Sequence, residues 1–291
     1  MQSDRPVTCS VESVRHCQFG SWYHLFKHIT PRSVIIPIAD RVVSYLREDG
    51  VVLPQGFDLS CSRGQTVEGS GRPDAMPFLD DENEAAPTGR EFSSLLSEMM
   101  SAMEELDGAA FPKLNWSAPI DAAWVNGGSL KCHTPGDVLL LLKSSMFYNW
   151  CNEYATVHWL LCFLSFPSQD HCYTLVLRKW CNLTPSMHFR CFVGSNRILG
   201  ISQRDCSTCY SYLMEEAPRI SQLISEFFEE HITGRFPSSS YVLDVYVDKN
   251  GRVWVIDFNP FASVTDSLLF DWQELQQLKE RQGSAASSTA R

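Results

Sequence analysis

Several features are missing from this 291-residue chain. No apolar run approaches the roughly 18 residues of a membrane-spanning helix, and the longest candidate, Trp159 to Phe166, is far too short. The opening MQSDRPVTCS lacks the basic, apolar and small-residue order of a secretory leader. A cytoplasmic protein with no membrane partner is therefore expected. Positive charge is scarce: 24 Lys and Arg face 34 Asp and Glu, for a formal charge of −10. A nucleic-acid partner would need a basic face, so none is expected. Neither a G-x-x-x-x-G-K-[ST] loop nor a G-x-G-x-x-G turn occurs, which leaves P-loop and Rossmann sites unsupported. Paired cysteine spacing is also absent. The 11 cysteines are odd in number and scattered, which fits reduced thiols better than a disulfide framework. Cys206-Ser207-Thr208-Cys209 is a lone C-x-x-C. It has no second pair or nearby His for zinc, and no βαβ context for a thioredoxin-type motif, so chance spacing accounts for it.

What remains is a globular composition, 44% hydrophobic and 12% aromatic. After a flexible stretch over 1–13, an N-terminal α/β segment is expected over 14–53. Phe19, Trp22, Phe26 and Ile29 recur at helical spacing, Val34-Ile35-Ile36 reads as a buried strand, and Arg41 to Arg47 reads as a short helix. Residues 54–90 are rich in Gly, Pro, Ser and acids, ending in Leu79-Asp80-Asp81-Glu82-Asn83-Glu84, and read as an acidic linker. A first lobe spans 91–180. It holds a helix through Phe92, Leu95, Met99 and Met103 stopped at Asp107-Gly108, a strand at Phe111 to Leu114, a helix capped by Thr134-Pro135, and a strand over Tyr173 to Trp180. A second lobe spans 181–272, with a hairpin around Gly194-Ser195-Asn196, a helix from Pro218 to His231 and another helix from about Asp266. The Gly, Ser and Ala of 273–291 predict a disordered tail. The fold class is α+β, with mainly antiparallel sheets.

The segment YVLDVYVDKNGRVWVIDFN, residues 241–259, carries the chemistry. Two alternating runs rich in Val flank Asn250-Gly251, the strongest short hairpin signal. With these two at the centre of a type I′ turn, Lys249 faces Arg252, and counting back sets Asp244 opposite Asp257. Asn259 then shares their face. Opposed carboxylates destabilise a sheet unless a positive charge lies between them. Mg²⁺ takes hard oxygen ligands, commonly one or two carboxylates with water and phosphate completing the shell. The alternative places Asp244 on an exposed face and starts a loop at Asp257 and Asn259.

Four cations, Lys113, Arg178, Lys179 and Arg190, sit on or beside predicted strands. Each must snorkel or meet an anion. Beside a three-oxygen metal face, a triphosphate is the anion that suits all four. Trp116 or Trp180 could wall an adenine, and the backbone after Lys179 could pair with its edge.

FPKLNWSAP (111–119), LVLRKWC (175–181), FRCFV (189–193), LGISQRD (199–205), VWVIDFNPF (253–261) and VTDSLLF (264–270), with HCQFGSWY and SVIIPI near the start, closely resemble the cell division cycle protein 123 family over roughly residues 14–272. The resemblance implies an ATP-grasp fold holding ATP between two lobes. It also implies an assembly chaperone that binds the gamma subunit of eukaryotic initiation factor two and promotes assembly of the heterotrimer, in support of translation initiation and the cell cycle. By the same resemblance Lys113, Trp116, Ala118, Arg178, Lys179, Trp180, Cys181 and Arg190 contact ATP, while Asp244, Asp257 and Asn259 hold Mg²⁺. Two departures stand out: residues 147–172 are more apolar than the family's segment, and the C-terminus is shorter. A monomeric chaperone is the leading expectation, with no catalytic residues assigned. Its rival is an ATP-grasp ligase forming an acylphosphate, and a third reading is a nucleotide-stabilised scaffold. A substrate pocket beside the γ-phosphate would favour the ligase, and no motif for one is found.

Overall fold

A computed structural model describes residues 6–48, 50–60, 86–151 and 173–288, with the side chains of 146–151 and 283–288 outside the description. Most of the expected linker, including Leu79 to Glu84, and most of the apolar 147–172 segment therefore lie outside the described residues. The fold is α+β, built on one three-stranded and one four-stranded sheet, both antiparallel. The chain divides into two compact units, residues 32–180 and residues 1–31 with 181–291. The first 31 residues thus group with the C-terminal half, a partition that reading along the chain does not suggest. Among the described residues no helix is long and apolar enough to cross a membrane.

In the 32–180 unit, β1 (Ser33–Ile38) and β2 (Ala110–Leu114) flank β3 (Tyr173–Lys179). Three helices, α3 (Asp40–Arg47), α4 (Arg90–Glu105) and α5 (Pro135–Cys151), share a core with Ile36, Ile38, Leu175 and Leu177. The apolar spacing of α4 buries Phe92, Leu95, Met99 and Met103, as the sequence predicts. That helix ends in a Schellman arrangement: Gly108 N donates to Met103 O at 2.8 Å and Asp107 N to Glu104 O at 3.2 Å. Asp107 takes the left-handed position with φ +63°. At the start of α5, Thr134 Oγ1 accepts from Asp137 N at 3.2 Å, and Asp137 Oδ2 accepts from Thr134 N at 3.1 Å. This reciprocal cap satisfies two helix-end groups. Buried Lys143 of α5 donates to the carbonyls of Tyr45 and Glu48, closing the C-terminus of α3.

The other unit orders its strands β5 (Arg197–Gln203), β4 (His188–Gly194), β6 (Tyr241–Val247) and β7 (Val253–Pro260). Aromatic packing covers one face: Trp22 and Phe26 of α2 (Phe19–Phe26) and Phe236 all lie within 5.1 Å, ring to ring, of Phe258 on β7. A short α1 (Val11–His16) precedes α2, and α6 (Tyr212–His231) adds buried Ile224 and Phe228. The α6 helix begins six residues before the predicted Pro218, which lies inside it and costs one backbone hydrogen bond. On the other face Phe192 and Val242 meet Phe261 and Leu275, with Phe270 and Trp272 against them. Leu275 belongs to α7 (Trp272–Ser288), a helix that replaces most of the predicted disordered tail. Composition misled there because a few apolar anchors decide the outcome: Leu275 is fully buried, and Asp271 caps the helix by accepting from Gln273 N at 2.6 Å. The predicted start near Asp266 is instead a turn, with Leu268 at φ +56°.

Candidate functional site

The 241–259 hairpin pairs Asp244 with Asp257, as the sequence predicts, by a different route. The turn is one residue longer than a type I′ connection. Asp248 N donates to Arg252 O at 2.9 Å and Gly251 N to Asp248 O at 2.9 Å, with Gly251 at φ +79°. The Asp248 carboxylate holds the turn, accepting from Asn250 N at 2.8 Å, Arg252 N at 3.0 Å and Trp254 Nε1 at 3.1 Å. Val247 consequently faces Val253, where the two-residue turn would have set it opposite Trp254, and the offset is cancelled by a register shift that skips Ile256. The core demands that shift. Val253, Val255 and Phe258 are all buried, a set that an uninterrupted period of two cannot place on one face. The bulge turns Asp257 out of the core and into line with Asp244.

Register across the sheet makes a transverse row: Ser202, Arg190, Asp244 and Asp257 on β5, β4, β6 and β7. Arg190 grips Asp244 bidentately, Nε to Oδ1 at 2.7 Å and Nη2 to Oδ2 at 2.8 Å, and donates from Nη1 to Asp266 O at 2.7 Å. Both side chains are buried. The positive charge beside Asp244 is thus an arginine of the chain itself, which offsets the repulsion between the opposed carboxylates. A guanidinium has five N–H donors, so the three used here leave two. Asn259 Nδ2 lies 3.4 Å from Asp244 Oδ2, turning its amide oxygen away from that carboxylate. Asp257 is half-buried. The donor set fits a hard divalent cation, with Asp257 its more open carboxylate and Asp244 contributing what lone pairs Arg190 leaves.

The remaining predicted residues divide between strand faces. Lys113 pairs with Val176 and Arg178 with Phe111, which places both cations on the sheet face opposite Leu175 and Leu177. Each is buried. Lys179 falls on the other face at the strand end, where its ammonium meets Asp107, whose second oxygen is 3.4 Å from Arg32. The four cations therefore do not form one cluster within a single unit. Trp116 and Ala118 are half-buried in the turn after β2, and Trp180 and Cys181 are half-buried where β3 ends. Lys179 N and Trp180 N are committed to Arg32 O at 2.8 Å and Ala109 O at 3.1 Å, so an adenine edge would have to use other backbone groups there.

The D123 family model matches residues 22–289. This chain belongs to the D123 family. It is similar to the translation initiation factor eIF2 assembly protein of Xenopus laevis, 43% identical over 266 residues that cover 91% of this chain and 78% of that one. Cell division cycle protein 123 of Yarrowia lipolytica is 38% identical over 275 residues, covering 94% and 70%. The structure of C-terminally truncated Cdc123 from Schizosaccharomyces pombe matches with a TM-score of 0.70 at 35% identity, covering 93% of each chain.

Two residues beside this candidate site were not picked out from the sequence. Arg204, two positions past Ser202, places Nε 3.7 Å from Asp244 Oδ2. His188, two before Arg190, has Nε2 buried with no hydrogen-bond partner among the described residues. Both lie at the open end of the β4–β5 hairpin, where Arg204 N donates to His188 O at 2.8 Å, and extending the strand alternation one step past Arg190 and Ser202 would have found them. Burial raises the Asp244 pKa, but the hydrogen bonds and charge of Arg190, aided by Arg204 and His188, hold it below the ordinary carboxylate value. Burial depresses His188 below 6.5 against the opposing pull of Asp244.

Replacing Asp244 with Ala leaves Arg190 buried without its anion. The expected loss is about 3–5 kcal/mol in denaturant unfolding, with an Arg190→Met/Asp244→Leu pair losing less than the sum of the single changes. For His188, the unfolded state binds more protons between the depressed folded pKa and 6.5. Stability should accordingly hold above about pH 6.5 and fall as pH drops through that window. A His188→Gln variant should flatten this dependence; an unchanged slope in unfolding midpoints across about pH 5 to 8 would assign it elsewhere.

Proposed function

We propose that the chain is an ATP- and Mg²⁺-binding assembly chaperone for eIF2, acting in the cytoplasm as a monomer on the gamma subunit and so supporting translation initiation and cell division. The observation that carries the nucleotide reading is the transverse row in which Arg190 neutralises Asp244 beside Asp257 and Asn259, whose side chains bring the hard oxygens that Mg²⁺ takes. On this reading Lys113, Trp116, Ala118, Arg178, Lys179, Trp180, Cys181 and Arg190 are the residues that would contact ATP, and Asp244, Asp257 and Asn259 those that would hold Mg²⁺. Bound Mg²⁺ supplies charge neutralisation at the phosphates. Arg190, its position fixed by Asp244 and the Asp266 carbonyl, would supply its two remaining N–H groups to a phosphate oxygen. Lys113 and Arg178 add positive charge from a largely desolvated strand face. His188, held neutral by burial, can accept or donate one hydrogen bond without adding charge. The partner assignment follows the names of the Xenopus and Yarrowia relatives, and the acidic balance of −10 suits a basic protein surface.

Calorimetric titration of ATP with and without Mg²⁺ tests the nucleotide reading. Asp257→Ala should remove the magnesium-dependent part of the affinity with the fold retained, and unchanged affinity would remove the metal assignment. The partner reading is tested by capture with purified gamma, alpha and beta subunits. The well-folded chain should retain gamma alone and accelerate joining of the other two, and failure to retain gamma would overturn it.

A further inference from the structure

We propose that Cys206 and Cys209 form a redox-responsive dithiol, which an external low-molecular-weight disulfide converts to an intramolecular disulfide. A thioredoxin-type motif needs a βαβ context, whereas thiol exchange itself needs only access, proximity and an available thiolate. Among the described cysteines, Cys206 and Cys209 are the exposed ones, whereas Cys17, Cys132 and Cys191 are buried and Cys9 and Cys181 half-buried. Burial pushes the thiols of Cys9, Cys17, Cys132 and Cys191 up, which withholds the nucleophilic thiolate.

Proximity follows from how the loop between β5 and α6 is tied. The chain bends at Ser207 and Thr208, between the two cysteines. Gln203 Nε2 donates to both Asp205 O and Thr208 O. Those carbonyls belong to the peptide groups that carry the nitrogens of Cys206 and Cys209, so one amide gathers both cysteine-bearing peptides. The Asp205 carboxylate fixes the intervening loop, accepting from Ser207 N at 3.0 Å, Ser207 Oγ at 2.6 Å and Tyr210 Oη at 2.7 Å. Two exposed cysteines are thereby held on one turn, with the Cys206 thiol donating to Gln203 O at 3.3 Å.

Exchange proceeds in two balanced steps. One cysteine thiolate attacks the external disulfide, forming a mixed disulfide and expelling one thiolate. The second cysteine thiolate attacks the protein-side sulfur, closing the Cys206–Cys209 bond and expelling the second. The pair loses two electrons to the external disulfide, and the two protons from the cysteines end on the released thiols. An exposed bond spanning so few residues is easily re-reduced, which makes the pair responsive rather than structural.

The full chain, equilibrated in mixtures of reduced and oxidised glutathione, quenched with acid, alkylated and mapped by peptide mass spectrometry, decides the matter. Wild type should accumulate the internal disulfide and retain about tenfold less glutathione on these residues than Cys206→Ser or Cys209→Ser, in which the resolving thiol is gone. Wild type retaining glutathione on each cysteine as the single variants do, or pairing either one with Cys9 or Cys181, would overturn the proposal.

Discussion

The bidentate contact between Arg190 and Asp244 organises the candidate site. A buried ion pair recovers its desolvation cost only with close geometry and further hydrogen bonds, and this one has both, through the 2.7 and 2.8 Å contacts and the Asp266 carbonyl. It joins the two central strands of its sheet side chain to side chain, and ties them to the turn that precedes α7. With Asp244 committed to Arg190, the half-buried Asp257 stands next in the same row, opposite Asp244 on β7.

That division of labour depends on a single extra residue in β7. Ile256 lets Val253 and Val255 face the aromatic core and still returns Phe258 to it, with Asp257 and Asn259 on the opposite face. A straight strand would have driven the carboxylate among Trp22, Phe26 and Phe236 or expelled Phe258 from that stack. Core packing and site chemistry therefore select the same irregularity, which accounts for a bulge in the middle of an otherwise regular hairpin. In the other unit, ordinary alternation separates neighbours in sequence: Arg178 shares a face with Lys113, whereas adjacent Lys179 is claimed by Asp107.

Much of this was legible in the residues. The helical spacing of Phe92 to Met103, the Thr134-Pro135 cap, and the Val-rich runs about Asn250-Gly251 each encode a local preference strong enough to survive in context. The pairing of Asp244 with Asp257 was also read correctly, through two unread features that cancel: a longer turn closed by Asp248 and the bulge at Ile256. The α7 helix and the early start of α6 were missed because polar, Gly-containing or Pro-containing windows carry weak propensity, and packing of residues such as Leu275 outweighs it.

By itself the sequence determined the α+β class, most strand and helix positions, and the identities of the oxygen and nitrogen groups from which a site could be made. These follow from interactions between residues a few positions apart, where side-chain period and capping act directly. Tertiary structure decided which charges meet: that Arg190 closes on Asp244, that Lys179 turns to Asp107, that Arg204 and His188 flank the row on the same face, and that the first 31 residues group with the C-terminal half. Such choices are set by register across strands distant in sequence and by what each sheet face must bury, and neither quantity is carried by any local stretch of the chain.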